Sequence, residues 1–465
     1  MERLIKAGKI KAKSSLDINR SRLGIGFEKL DRDAFDPHKA YDRMCEIGVK
    51  WARIQAGWQK TEREKGVYDF EWFDDIVDNL LKRGIKPWVC LCYGNDLYTE
   101  SAKEVYGAVG CPPIFTDEEK EGWSNYVKAL VKRYKGRISH YEVWNEPDGV
   151  WCWKHGASGT ELGTFTVATA KAIREVDTEC EIIGGALCHD FINFLSDAFK
   201  AGMGDWIDAL SFHKYTDDDY FSFEVLDVLR GVVNMFNPKI KLIQGETGSQ
   251  SRSDGKGALK GYAWTPARQA KQILRQTMID LMSEVEFCSY FSCMDMKEAL
   301  RGKAGDVESY KDYGYFGVLS AQFDEEGNAI GEYKPKDSFY ALQNICALFS
   351  DNCKHIKLPI RTQCSESHRV NGMDTGYKEI ISGGFKLDNG EYAFAYWKPE
   401  SLLTNTFEGT ITFEIAAKKE DIRIADLYTG DVYTLPDDMI ETVGDNSIKL
   451  LHIPIKDYPL VILFK

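Results

Sequence analysis

Long apolar runs are missing from this chain. Nothing in its 465 residues approaches the roughly 20 consecutive apolar residues of a membrane span, so no membrane partner is expected. Residues Met1-Glu2-Arg3-Leu4-Ile5-Lys6 are charged and lack the apolar stretch of a secretory signal, which makes a cytoplasmic location the expectation. Basic charge is also in short supply. Lys and Arg number 59 against 72 Asp and Glu, a net charge of −13, and a nucleic-acid partner is not expected. Histidine is scarce at 8 residues, and none of the 12 cysteines forms a CxxC pair, so neither a metal site nor a resident cofactor is expected. The run Gly24-Ile25-Gly26-Phe27-Glu28-Lys29 lacks the third glycine of a dinucleotide fingerprint, and no GxxxxGK[ST] run occurs.

What is present is an alternation. Between residues 22 and 350, short apolar runs alternate with helical patterns, the sign of a parallel β/α fold. The strands are read at 23–27, 49–54, 85–92, 138–144, 181–187, 207–212, 241–244 and 286–292. Helices are read at 37–47, 70–82, 117–134, after Gly159, at 190–201, 266–284 and 338–349, with none assigned between the sixth and seventh strands. Eight such units predict an α/β protein with a closed (β/α)8 TIM barrel over residues 22–350. Beyond Lys354 the pattern changes to short alternating strands separated by Gly, Asn and Asp turns, and only Trp397 of the 11 tryptophans lies there. Residues 355–465 therefore read as an all-β, sandwich-like domain. Residues 1–21, with Ile5, Ile10 and Ile18, could supply it with an edge strand.

The run Tyr141-Glu142-Val143-Trp144-Asn145-Glu146-Pro147-Asp148 carries the strongest chemical signal. An apolar strand ends in polar residues and a proline, where barrels hold their active sites. Pro147 should favour an extended backbone at Glu146, and an apolar rim should raise the pKa of its carboxyl, as suits a proton donor. Three strands on, Glu246 closes Lys241-Leu242-Ile243-Gln244-Gly245-Glu246. Strands four and seven face each other across a barrel mouth, so both carboxylates could flank one glycosidic bond. Carboxyl groups about 5–5.5 Å apart would act with retention, and about 6.5–9.5 Å apart with inversion. Either glutamate alone is more often a loop residue, a helix cap or an ion-pair member.

Other candidates sit on the same rim. Arg53 ends the second strand and could orient a carboxylate, or serve only as a wall salt bridge. His213 and Tyr215 follow the sixth strand two positions apart and can share a face. Asn95 could bond sugar hydroxyls or merely shape a turn beside Gly94. Trp151 and Trp153, like Trp58, could stack on a sugar ring or pack in the core.

The Trp144-Asn145-Glu146-Pro147 run with Glu246 ending the seventh strand resembles clan A of the glycoside hydrolases. Barrel plus β module, together with Trp51-Ala52-Arg53, Gly57-Trp58 and Gly66-Val67-Tyr68-Asp69-Phe70, is most similar to family 39, the β-xylosidase and α-L-iduronidase group. The resemblance implies Glu146 as acid/base, Glu246 as nucleophile and Asn145 as the partner of the sugar 2-hydroxyl. It also implies Arg53 as support for the nucleophile, and sugar or nucleophile contacts from His213 and Tyr215. Clan members commonly place a tryptophan at the eighth-strand end, whereas this chain has Tyr290 and Phe291 there; either could substitute, and Tyr290 is a candidate sugar contact. The expected function is a retaining, exo-acting hydrolase on a carbohydrate substrate, β-xylosidase-like or β-galactosidase-like. An endo-acting glycanase on a β-glucan or β-mannan and an inactive carbohydrate-binding protein are the alternatives, and homo-oligomerisation stays open.

Overall fold

Eight short apolar strands pair edge to edge in parallel and close on themselves. They are β1 (Leu23–Gly26), β2 (Trp51–Gln55), β3 (Lys86–Leu91), β4 (His140–Val143), β5 (Glu181–Leu187), β6 (Ala209–His213), β7 (Lys241–Thr247) and β8 (Cys288–Tyr290). The last pairs back with the first through Leu23–Cys288 and Ile25–Tyr290. This computed structural model describes residues 1–189, 192–298, 303–374, 379–401 and 407–465. The expected TIM barrel is therefore the observed architecture.

A helix follows each strand: α1 (Tyr41–Ile47), α2 (Glu71–Lys82), α3 (Asp117–Tyr134), α4 (Gly159–Arg174), α5 (Ile192–Lys200), α6 (Asp219–Phe236), α7 (Pro266–Met282) and α8 (Asp337–Leu348). Local chemistry sets their starts. Thr116 and Glu119 form a reciprocal capping box on α3, and Asp218 accepts from Tyr220 and Phe221 N–H at the start of α6. Helix α6 corrects the sequence reading, which assigned none there. Its buried stripe of Val225, Leu226, Leu229, Val232 and Val233 has helical spacing, but the polar run ahead of it obscured the start. Among the described residues, no helix is long and apolar enough to cross a membrane.

Alternation along the strands divides the barrel interior into layers. Near the N-terminal end Trp51 stacks on Phe287 at 4.3 Å, with Trp88 4.5 Å from the same ring. Ile183, Ala209 and Ile243 complete this apolar plug. Two residues further along β2 the interior position is Arg53, and two further Gln55, so the same strand passes from an apolar floor to a polar mouth.

Beyond the barrel, two antiparallel sheets of seven and five strands lie face to face, a sandwich-like arrangement. Phe413 of one packs against Phe394 and Tyr396 of the other at 5.6 and 4.9 Å. The N-terminal strand Ile5–Lys9 pairs with Asp431–Thr434 at the edge of the larger sheet. Polar ties anchor these sheets to the barrel. Trp397 Nε1 donates to Asp219 at 2.7 Å, and Arg275 joins Asp219 to the Glu400 carbonyl.

Candidate active site

Arg53 is the hub of the barrel mouth. Its guanidinium is fully buried and donates in three directions: Nε to Glu142 at 2.7 Å, Nη1 to Glu246 at 2.9 Å and Nη2 to the Asn145 side-chain Oδ1 at 2.8 Å. Glu28 lies 3.5 Å from Nη1. Burial works against the charge, but its neighbours, Glu142 foremost and Glu246 among them, outweigh it and keep the guanidinium protonated. A planar fork holds these acceptors in fixed directions, where the rotatable ammonium of a lysine would not.

Glu246 is held from two sides. Oε2 accepts from Arg53, and Oε1 accepts from the Tyr215 hydroxyl. The preceding Gly245 permits this placement, since a Cβ there would come within 2.1 Å of Ser211 Oγ and 3.0 Å of His213 Nε2. Strands β6 and β7 can approach this closely only without a side chain at that position.

Glu146 faces it. Oε1 is 3.1 Å from His213 Nδ1, and Oε2 accepts from the Trp151 indole. One ligand-type atom each of Glu146, His213 and Glu246 lies within 4.8 Å of the other two. Two features of Glu146 differ from the sequence expectation. Its φ is +45°, and that of Trp144 +67°, so the chain leaves β4 through left-handed residues and not in an extended form. The Glu146 N–H bond to the Ala186 carbonyl and the Gly149 N–H bond to the Glu146 carbonyl hold this turn against the preference of a pre-proline residue. Its carboxyl also lies below the ordinary pKa. Burial pushes it up, but the bond and charge of His213, the Trp151 bond and Arg53 outweigh that cost.

Between the two carboxylates opens a cavity of about 370 Å³, whose walls include Glu28, Asn145, Trp151, Tyr215, Phe291 and Phe316. That volume falls within the range of small-ligand sites. A larger hollow of about 640 Å³ lies beside it, shares Arg32, and is walled by residues such as Asp31, Lys60, Asp96 and Tyr106. The converging carboxylates distinguish the smaller one.

Of the residues singled out in the sequence, Arg53, Asn145, Glu146, Trp151, His213, Tyr215 and Glu246 converge here, and four do not. Asn95 is buried in a turn, donating to the Glu62 carbonyl at 2.8 Å and accepting from Leu97 N–H at 2.9 Å, so its polar atoms are spent on backbone. Trp153 is buried edge-on against Trp144 at 5.9 Å and bonds Glu161. The Tyr290 hydroxyl accepts from Ser249 N–H at 3.3 Å, while its neighbour Phe291 lines the cavity and packs on Phe316 at 5.5 Å. Adjacent residues at a strand end point apart, so the cavity receives only one of them. Trp58 is likewise core, stacked on Tyr98.

Sequence reasoning missed Glu28 and Glu142 and assigned Glu298 no role. Glu28 ends β1 as Glu146 and Glu246 end theirs, and the same strand-closing pattern would have found it. Its carboxyl is fully buried, with Oε2 unbonded by protein, and burial lifts its pKa to about 8 against the pull of Arg53. Glu298 lines the cavity 3.4 Å from Lys29 Nζ and belongs to the long β8–α8 connection, where no periodicity marks it. The Glu146–His213–Glu246 group could offer atoms to a metal ion, but Arg53 already supplies a fixed cation 2.9 Å from Glu246.

Residues 37–237 match the family model described as glycosyl hydrolases family 39. Among curated proteins, the chain is 31% identical over 196 residues to a beta-xylosidase of Caldicellulosiruptor saccharolyticus and 28% identical over 163 residues to one of Geobacillus stearothermophilus. These matches take in 38% and 33% of this chain, and 38% and 31% of those proteins' lengths. Among solved structures, a family 39 glycoside hydrolase from Bacteroides cellulosilyticus WH2 superposes with a TM-score of 0.64 at 17% identity, covering 96% of this chain and 81% of that one. A monomeric beta-xylosidase from Caulobacter crescentus CB15 gives 0.61 at 15% identity, covering 99% and 98%. Likeness at such identities is a likeness of fold.

Proposed function

From a chain that is clan A and family-39-like in fold and sequence, we propose a retaining, exo-acting glycoside hydrolase that releases one terminal sugar by double displacement. The observation that carries this reading is the meeting of Glu146 and Glu246 across one cavity, with oxygens within 4.8 Å. An oxygen approach this close supports the shorter carboxyl separation of a retaining site, about 5–5.5 Å, over the about 6.5–9.5 Å of an inverting one.

In the first step a Glu246 oxygen attacks the anomeric carbon as the bond to the leaving oxygen breaks, and Glu146 gives its proton to that oxygen. Arg53 and Tyr215 orient the nucleophile and take up its charge when it is released. In the second step Glu146, now a carboxylate, takes a proton from water; the water oxygen bonds to the anomeric carbon and Glu246 departs. In the resting site His213 and Trp151 hold Glu146 as the base, the form this second step needs. For the first step it must take up a proton as the glycoside excludes water around it. Asn145, fixed by Arg53, presents its amide to a sugar hydroxyl.

A cavity of about 370 Å³ with Phe291 and Phe316 among its walls suits a single terminal ring, and the relatives named beta-xylosidase make a β-xyloside the first substrate to try, with a β-galactoside next. The hollow sharing Arg32 supports a second reading, an endo-acting enzyme whose longer glycan runs into it. Aryl xyloside, galactoside, glucoside, arabinoside and fucoside should be tested against wild type and Glu246→Gly. Turnover on the preferred substrate should fall by several orders of magnitude, with partial recovery in azide. Unchanged turnover would remove Glu246 from the reaction. Single sugars as first products from an oligosaccharide would support exo action, and shorter oligosaccharides the endo reading.

A further inference from the structure

Behind the Glu146 side of the cavity, two loops bring together a carboxylate, a thiol and an imidazole. Asp148 follows β4, and Cys188 and His189 follow β5. Cys188 Sγ lies 3.2 Å from Asp148 Oδ1 and 3.4 Å from His189 Nδ1, and His189 Nδ1 is 3.8 Å from Asp148 Oδ2. A tetrahedral zinc ion bound by one sulfur, one nitrogen and one oxygen at ordinary bond lengths sets its ligand atoms about 3.3–3.6 Å apart. The two contacts of Cys188 Sγ, 3.2 and 3.4 Å, lie close to that range, and one ligand atom from each of the three residues lies within 4.8 Å of the other two, so a small side-chain adjustment brings all three onto one ion. We propose that Asp148, Cys188 and His189 form a binding site for a thiophilic divalent cation, with zinc as the type, on the wall of the cavity.

The set is organised before any ion arrives. Asp148 Oδ1 accepts from Cys188 N–H at 3.0 Å and Oδ2 from His189 N–H at 2.7 Å, so the carboxylate fixes the backbone of both other ligands. Oδ1 also accepts from the Cys188 thiol at 3.2 Å, a lone pair released when the thiol proton leaves. The Asp148 side chain is 1% exposed and that of His189 39%, which gives the site a rigid inner ligand and an outer one open to solvent. The Trp151 ring lies 5.5 Å from the His189 ring and backs the imidazole. Binding replaces the thiol proton, which passes to the buffer, with a sulfur–metal bond. Three protein ligands leave a fourth position. Cys188 is itself part of the cavity wall, so an ion there narrows the space a sugar must enter. The site thus makes the enzyme sensitive to soft metals without any role for metal in its chemistry, and the ion itself can be detected without activity.

The test is a titration of the reduced, chelator-treated full-length protein with Co2+, followed by displacement with Zn2+. A thiolate-to-cobalt charge-transfer band in the near ultraviolet is expected, saturating at one ion and bleached by zinc. Cys188→Ser should abolish the band, and His189→Ala should weaken binding at least about tenfold. Glu246→Gln, which alters the other possible ligand group, should leave band and affinity in place. In activity assays zinc should raise KM in wild type and not in His189→Ala. The proposal is overturned if cobalt binds without the thiolate band, if the band survives Cys188→Ser, or if His189→Ala binds as tightly as wild type. Loss of binding in Glu246→Gln would assign the ion to the Glu146–His213–Glu246 group instead.

Discussion

Glu28→Gln isolates one fully buried carboxyl at the mouth. Burial lifts the Glu28 carboxyl from 4.5 to about 8, with Arg53 opposing and Glu246 reinforcing the rise. The folded protein therefore keeps this proton over a pH range in which the unfolded chain has lost it. Stability from this group is fully present below 4.5 and lost as pH climbs through about 8. At about 1.4 kcal/mol per pH unit, the gap corresponds to a ceiling of roughly 5 kcal/mol. Glutamine reproduces the neutral form at nearly the same volume and does not titrate. The variant should match wild type near pH 5 and become more stable than it by pH 8.5. At roughly 1–2 °C per kcal/mol for a barrel of this size, the melting temperatures should diverge by several degrees. Differential scanning fluorimetry of both proteins across that range is the assay. A difference constant with pH, or one that favours wild type at high pH, would refute the reasoning, because Glu28 would then be an ionised partner of Arg53 in the fold.

Three further outcomes follow from single contacts. Tyr215→Phe removes the hydroxyl that donates to Glu246 and should lower kcat/KM by about 10²-fold with the melting temperature nearly unchanged, as steady-state kinetics on an aryl glycoside will show. His213→Asn removes the main interaction that lowers the Glu146 carboxyl, so the acid form should persist to higher pH and the alkaline limb of kcat/KM for a poor leaving group should move upward; an unmoved limb would count against Glu146 as the proton donor. Arg275→Met leaves Asp219 buried without its cation and frees the Glu400 carbonyl, and should cost about 3–5 kcal/mol in chemical denaturation while leaving KM unchanged.

The eight β/α units were legible in the sequence because apolar runs that fill a barrel must recur, and because a strand ending in Trp-Asn-Glu-Pro can place its polar residues only at the mouth. Helix α6 escaped notice because its polar start hid the stripe that follows. Which rim residues meet was another matter. Spacing put His213 and Tyr215 on one face, but it could not tell Tyr290 from Phe291, show that the polar atoms of Asn95 are spent on backbone, or reveal that Pro147 fails to keep Glu146 extended. Those outcomes depend on where strands from distant parts of the chain stand in register. Strand order and patterning thus set the barrel, the β sheets and the glutamates that close β4 and β7. Only the closed tertiary structure decided that Arg53 ties four strands' polar groups together, that Glu28 joins them, and that Asp148 meets Cys188 and His189, because a barrel's closure brings residues of remote sequence to within a hydrogen bond of one another.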